Sequence, residues 1–167
     1  EGGTGEAKTG GNYAASLYAA KEAAEKGYDQ VLWLDAKEKK YVEEVGSMNM
    51  LFLYDDKIVT SPLKGTVLDG ITRRSTLHLL KELGYEIEER ALTVDEVMEG
   101  AQSGRLKEAF GTGTAVVISP VGSFCYQDKC VELGNGEPGE LTMKLYNTLT
   151  GIQYGKLPDP NGWVTSL

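Results

Sequence analysis

No stretch of the 167 residues approaches the roughly 20 consecutive apolar residues of a membrane-spanning helix, and the opening residues do not read as a secretory leader. A positive net charge is missing as well, since 17 basic residues stand against 25 acidic ones, a formal balance of −8. Non-specific nucleic-acid binding and attachment to anionic membranes both need a positive field, so neither is expected. A local positive pocket for a small anion is not excluded by that balance. Metal-ligating residues are scarce: one histidine, His78, and two cysteines, Cys125 and Cys130. That set cannot build a four-ligand zinc centre, and no metal site is expected. The cysteines read as two small unpaired residues in a reducing compartment, and His78, inside a helical pattern, as a packing or surface residue. Methionine is absent from the first position, and the abrupt start at Glu1 reads as the interior of a longer protein. What remains is ordinary. The composition, 41% hydrophobic and 25% charged, suits one globular domain with a sizeable core.

Residues 1–11 are glycine-dense and read as a loop. A helix is expected over 12–26, with Asn12 as N-cap and Gly27 as its stop. The apolar run 30–34 reads as a buried strand, 39–54 as two strands interrupted at Gly46, and 57–61 as a further strand. A helix over 70–83 ends at Gly84, and 85–91 alternates like a strand. Thr93 and Glu96 form a capping box that opens a helix to Ser103. Strands follow over 106–111, 115–120, 123–126 and 129–133, then a helix over 140–154. Strands outnumber helices without alternating regularly, which favours an α+β fold over a doubly wound sheet.

Chemistry concentrates first in the loop around Lys8. A phosphate loop of the G-x-x-x-x-G-K-[ST] type nearly fits residues 2–9 and would make a non-catalytic nucleotide-binding module. Ala7 stands where that motif needs glycine, however, and no strand precedes it in the sequence. The competing reading is a lysine at the mouth of a glycine-rich loop, available to carry an aldehyde cofactor. Such an enzyme also needs a carboxylate for the cofactor's ring nitrogen and an anion site for its phosphate.

The segments GGTGEAKTGGNYAASLYA, QVLWLD, EEVGSMNMLF, LDGITRR, EAFGTGTAVVISPV and GIQYG, in that order over residues 2–155, resemble the branched-chain aminotransferases of the fold-type IV pyridoxal-phosphate class. The resemblance implies the large domain of that fold over 1–167, a strand pseudo-barrel with flanking helices, and the absence of a smaller N-terminal domain. It implies that Lys8 carries pyridoxal 5'-phosphate covalently and shuttles the proton of transamination, and that Tyr13 bonds the cofactor's phenolic oxygen. Glu44 would face the pyridine nitrogen, while Glu43 would point to the other face of its strand. Ile71 and Thr72, through backbone N–H groups at a helix start, and Thr114, through its hydroxyl, would hold the phosphate. Ser47, Thr114 and Ala115 would meet the substrate carboxylate. Arg73 and Arg74 read as structural or surface charges. The implied activity is amino transfer between leucine, isoleucine or valine and 2-oxoglutarate, in amino-acid biosynthesis, by a cytoplasmic homodimer when full length. Other fold-type IV enzymes, D-amino-acid aminotransferases and aminodeoxychorismate lyases, share the lysine–glutamate plan and are the alternative. Some eukaryotic relatives carry a redox C-x-x-C after the Gly-Thr-Ala turn; Val116 and Ser119 stand there, so no such switch is expected. Without the N-terminal domain, the chain alone is expected to be inactive.

Overall fold

The computed structural model describes residues 2–165, so Glu1, Ser166 and Leu167 of the expected 1–167 domain lie outside the described residues. Two short helices, α1 (Gly10–Ala14) and α2 (Leu17–Glu25), precede four strands: β1 (Leu32–Leu34), β2 (Val42–Val45), β3 (Met48–Tyr54) and β4 (Lys57–Thr60). Helix α3 (Ile71–Glu82), strand β5 (Glu86–Glu89) and helix α4 (Val94–Ser103) follow. Strands β6 (Leu106–Gly113), β7 (Val117–Pro120), β8 (Ser123–Tyr126) and β9 (Lys129–Glu132) lead to α5 (Glu140–Gln153). The expected helix over 12–26 is therefore two helices. Thr9 rather than Asn12 occupies the N-cap of α1, and the Ser16 hydroxyl bonds the Tyr13 carbonyl at 2.7 Å where the helices meet.

Strand β3 is the centre of the fold. One edge pairs with β2 and then β4, and the other edge pairs with β6 along nearly its whole length. β1 and β7 extend the antiparallel pairing, and β5 joins β4 in parallel after the α3 crossover. The result is an open seven-stranded sheet, with β8 and β9 as a separate hairpin. The architecture is α+β. Period-two alternation divides β3 between two cores. Met50, Phe52 and Tyr54 face α4 and the hairpin residue Phe124, whereas Leu51 and Leu53 face Leu80 of α3 and Leu145 of α5. Burying such side chains in two layers holds the sheet rigid, and truncating Phe52, which is wholly buried, would cost about 3–5 kcal/mol.

The cysteines correct an expectation. Cys125 and Cys130 are direct cross-strand partners in the β8–β9 hairpin, and they form a disulfide rather than remaining two unpaired thiols. The two-residue turn at Gln127 and Asp128, both with positive φ, brings them together.

Candidate active site

The glycine-rich loop is tied down by Asn12. Its amide nitrogen donates to the carbonyls of Thr4 at 2.6 Å and Ala7 at 2.9 Å, and its amide oxygen accepts from the Thr4 hydroxyl at 3.0 Å. These bonds use a side chain inside α1 to fix the loop that precedes it. Lys8 projects from that loop and donates to the Tyr13 hydroxyl at 3.0 Å, with its amine 4.9 Å from the centre of the same ring. Gly5 lies so close to the Gly65 carbonyl and the Thr66 Cα, 2.8 and 2.9 Å from an added Cβ, that any side chain would push the loop away.

The segment between β4 and α3 meets the glycine-rich loop at Gly5 and both glutamates of β2. Thr66 donates its hydroxyl to Glu43 at 2.6 Å, and the Leu68 N–H donates to Glu44 at 3.1 Å. Both carboxylates reach the same segment. This differs from the expected opposite faces, and the pairing of β1 with β2 supplies the reason. The step from Leu32 to Leu34 is matched by the longer step from Val45 to Val42, so β2 carries an extra residue at Glu43–Glu44. A bulge of this kind breaks the alternation of faces and leaves both Val42 and Val45 in the core. Burial pushes the Glu44 carboxyl above the ordinary carboxylate range. The Leu68 N–H and the Lys8 charge pull it down, and the Glu43 charge pushes it further up.

Two residues beyond Leu68 lies Gly70, the N-cap of α3, which has no side-chain cap. The N–H groups of Ile71 and Thr72 therefore open a 12-residue helix at a start without a side-chain cap. Arg73 and Arg74 are engaged elsewhere. Arg73 is buried and bonds the Ser61 carbonyl at 3.2 Å and Glu89 at 2.6 Å, and Arg74 is paired with Asp69. Ser47 sits in the β2–β3 turn, and Thr114 and Ala115 in the β6–β7 turn, all three exposed. The pairing of Asn49 with Thr112 sets these two turns at the same end of the sheet. Thr112 itself is 2% exposed, and its hydroxyl has no hydrogen-bond partner. Reading the sequence missed Thr112, Asn49 and Thr66. An Asn five residues after a candidate catalytic Glu, across a tight turn at Gly46, is the signal that could have found Asn49.

The class IV amino-transferase family model matches residues 4–124. The chain belongs to that family. It is 55% identical over its full length to branched-chain-amino-acid aminotransferase 2 of Bacillus subtilis (strain 168), and it covers 46% of that protein. A probable branched-chain-amino-acid aminotransferase of Staphylococcus aureus (strain N315) is 56% identical over 97% of this chain, which covers 45% of it. The chain thus spans about half the length of these curated relatives. Among solved structures, the Escherichia coli branched-chain amino acid aminotransferase superposes with a TM-score of 0.81 at 32% identity, covering 96% of this chain and 50% of its own. The T.th. branched-chain amino acid aminotransferase, solved with pyridoxamine 5'-phosphate, gives 0.79 at 33% identity, covering 98% of this chain and 50% of its own. The class IV chain therefore has the fold-type IV architecture of these enzymes.

Proposed function

We propose that this class IV chain is the cofactor-binding large domain of a pyridoxal-phosphate-dependent branched-chain amino-acid aminotransferase. The observation that carries the reading is the convergence of the glycine-rich loop that bears Lys8, through its Gly5, of Glu44 and of the start of α3 on one segment, residues 65–70. The names of the relatives and the ligand of the T.th. enzyme support the same choice. The residues present suit the cofactor. A half-buried carboxylate whose pKa is raised by burial, a helix start without a side-chain cap and the orphaned Thr112 hydroxyl suit a ring cation and a phosphate.

Pyridoxal phosphate, when bound, supplies an electron-withdrawing ring that accepts the electrons left at the substrate Cα. Lys8 Nζ would hold the cofactor covalently and, once the substrate amine has displaced it, would take the proton from the substrate Cα as a free amine, oriented by the Tyr13 hydroxyl. Glu44 holds a proton on the ring nitrogen, because a nearby negative charge favours the protonated ring. The N–H groups of Ile71 and Thr72 and the Thr114 hydroxyl take the phosphate. Ser47, Thr114 and Ala115, in two neighbouring turns, bind the substrate carboxylate. The substrates are leucine, isoleucine and valine with 2-oxoglutarate. The full-length protein works as a homodimer in the cytoplasm, in amino-acid biosynthesis, with an N-terminal domain completing the pocket. Helices α1 and α2 have no buried residue, and Leu17 and Tyr18 are 68% and 72% exposed, as expected of a surface that another domain or subunit covers.

Borohydride reduction after loading the full-length protein with pyridoxal phosphate tests the reading. The label should appear on the peptide containing Lys8, and Lys8→Ala should abolish both the label and transamination of leucine. Recovery of label on another lysine would sink the site assignment. Preference for D-alanine over L-leucine would replace the branched-chain reading with a D-amino-acid aminotransferase.

A further inference from the structure

One buried polar side chain touches none of the groups that would meet cofactor or substrate except Glu44. Asn49 is 4% exposed and stands directly across from Glu44 in the β2–β3 pair. Its amide nitrogen donates to Glu44 Oε1 at 3.1 Å and to the Leu68 carbonyl at 2.7 Å. Both neighbours can only accept, so the orientation of the amide follows from chemistry. The flipped amide would aim its oxygen at a carboxylate and a carbonyl. The Leu68 N–H completes a closed triangle by donating to the same Glu44 oxygen at 3.1 Å.

The amide also abuts the start of α3. A Cβ on Gly70 would overlap the Asn49 Oδ1, so only glycine lets the helix start lie against this side chain. Asn49 is therefore wedged between the Glu44 carboxylate and the turn that aims the first N–H groups of α3. In the reading above, those two elements grip opposite ends of one rigid ligand, the ring nitrogen and the phosphate.

We propose that Asn49 is a positioning residue that locks the Glu44 carboxylate and the start of α3 into a single unit, fixing the spacing between the ring-nitrogen and phosphate ends of the cofactor site. The role rests on the aminotransferase reading, but the lock itself exists in the chain without cofactor. A leucine at this place would fill similar space and leave the Leu68 carbonyl and a Glu44 oxygen short of a donor. Buried groups stranded in this way rearrange or lose affinity for their ligand.

The test uses the 167-residue chain with two substitutions. Asn49→Ala removes the amide, and Gly70→Ala keeps it but displaces it, at a backbone conformation that alanine readily adopts, φ −69° and ψ 136°. In each, the Glu44 carboxyl is titrated by carbon NMR without cofactor, and pyridoxal phosphate binding is measured separately. Both variants should titrate at a higher pH than the parent, because a donor to the charged carboxylate is lost. Both should bind pyridoxal phosphate about tenfold or more weakly. Pyridoxal, which lacks the phosphate, should lose less, because it needs only one end of the site. A folded Asn49→Ala that titrates like the parent overturns the proposal. Should that variant not fold, an unchanged titration in Gly70→Ala overturns it instead. If the full-length parent protein takes up no pyridoxal phosphate at all, the aminotransferase reading fails while the Glu44 titration still decides the role of Asn49.

Discussion

Glu44 is half-buried and bonded to two donors, Asn49 and the Leu68 N–H, and its carboxyl lies above the ordinary value of 4.5 because burial outweighs the pull of the Leu68 N–H and the Lys8 charge. A carboxyl raised in the folded state binds protons that the unfolded chain has already released. Its contribution to stability is then complete below about pH 4.5 and is lost as pH rises through the raised value. Glu44→Gln removes this titration, so the melting temperature of the variant should fall less than the parent's between pH 4.5 and neutrality. Glu43 pushes Glu44 in the same upward direction, and Glu43→Gln should bring the Glu44 titration down. Melting temperature against pH in Glu44→Gln and carbon NMR titration of Glu44 in Glu43→Gln check the two signs. An unmoved Glu44 in Glu43→Gln would mean that the bulge does not bring the two carboxylates together. In the full-length enzyme, Glu44→Gln should slow proton abstraction by at least about tenfold, or roughly 1.4 kcal/mol of barrier.

At the scale of elements, helix α5 begins at Gly139 without a local cap, and Glu108 of β6 fills the gap from across the fold. Its carboxylate accepts the N–H groups of Leu141 at 3.0 Å and Thr142 at 2.8 Å and the Thr142 hydroxyl at 2.7 Å. Three bonds to a charged group at a helix start favour a negative charge there. Glu108→Ala should destabilise the chain by about 1.5–3 kcal/mol, read as a lower urea midpoint, and Glu108→Gln by less. A Cβ on Gly139 would collide with the Glu108 side chain, so Gly139→Ala should be destabilising too. Asp35 does similar work locally. Its carboxylate accepts the N–H groups of Tyr41, Glu38 and Lys40, which lower its pKa to about 2. The stability it adds is present above the ordinary 3.8 and disappears as pH falls towards 2. Asp35→Ala should therefore lower the neutral-pH urea midpoint and flatten its decline over that acid window. Elements governed by neighbouring residues were readable beforehand. The Thr93 hydroxyl does accept the Glu96 N–H, and Gly104 ends the same helix in the left-handed conformation. The order of helices and strands after residue 30 also followed from periodicity and turn residues. What escaped depends on contacts distant in sequence: the Glu108 cap, the bulge that turns Glu43 towards Thr66 and the triangle around Asn49. The Cys125–Cys130 disulfide escaped for a different reason, since compartment base rates said nothing about a hairpin that makes the two residues partners. The role proposed for Lys8 rests on family resemblance, because a lysine in a glycine-rich loop has no distinctive spacing.

At the scale of the whole molecule, the site is open where the proposed chemistry needs enclosure. Lys8, Thr114 and Ala115 are all exposed, and water at those positions would weaken each electrostatic contact to cofactor and substrate. The two arginines at the start of α3 are committed to Glu89 and Asp69, so in the proposed reading a charged partner for the phosphate would come from another part of the full-length protein. One missing charge-assisted bond, about 1.5–3 kcal/mol, weakens cofactor binding on the order of ten- to a hundredfold. The chain covers 46% of its Bacillus subtilis relative, which leaves room for that domain in the full-length protein. We therefore expect the 167 residues alone to bind pyridoxal phosphate weakly and to turn over leucine and 2-oxoglutarate near background, even with saturating cofactor. Supplying the remaining half of the full-length protein as a separate polypeptide should raise both binding and turnover. Turnover of the isolated chain in the ordinary enzyme range, about 1–1000 per second, would show that these residues enclose the reaction without help.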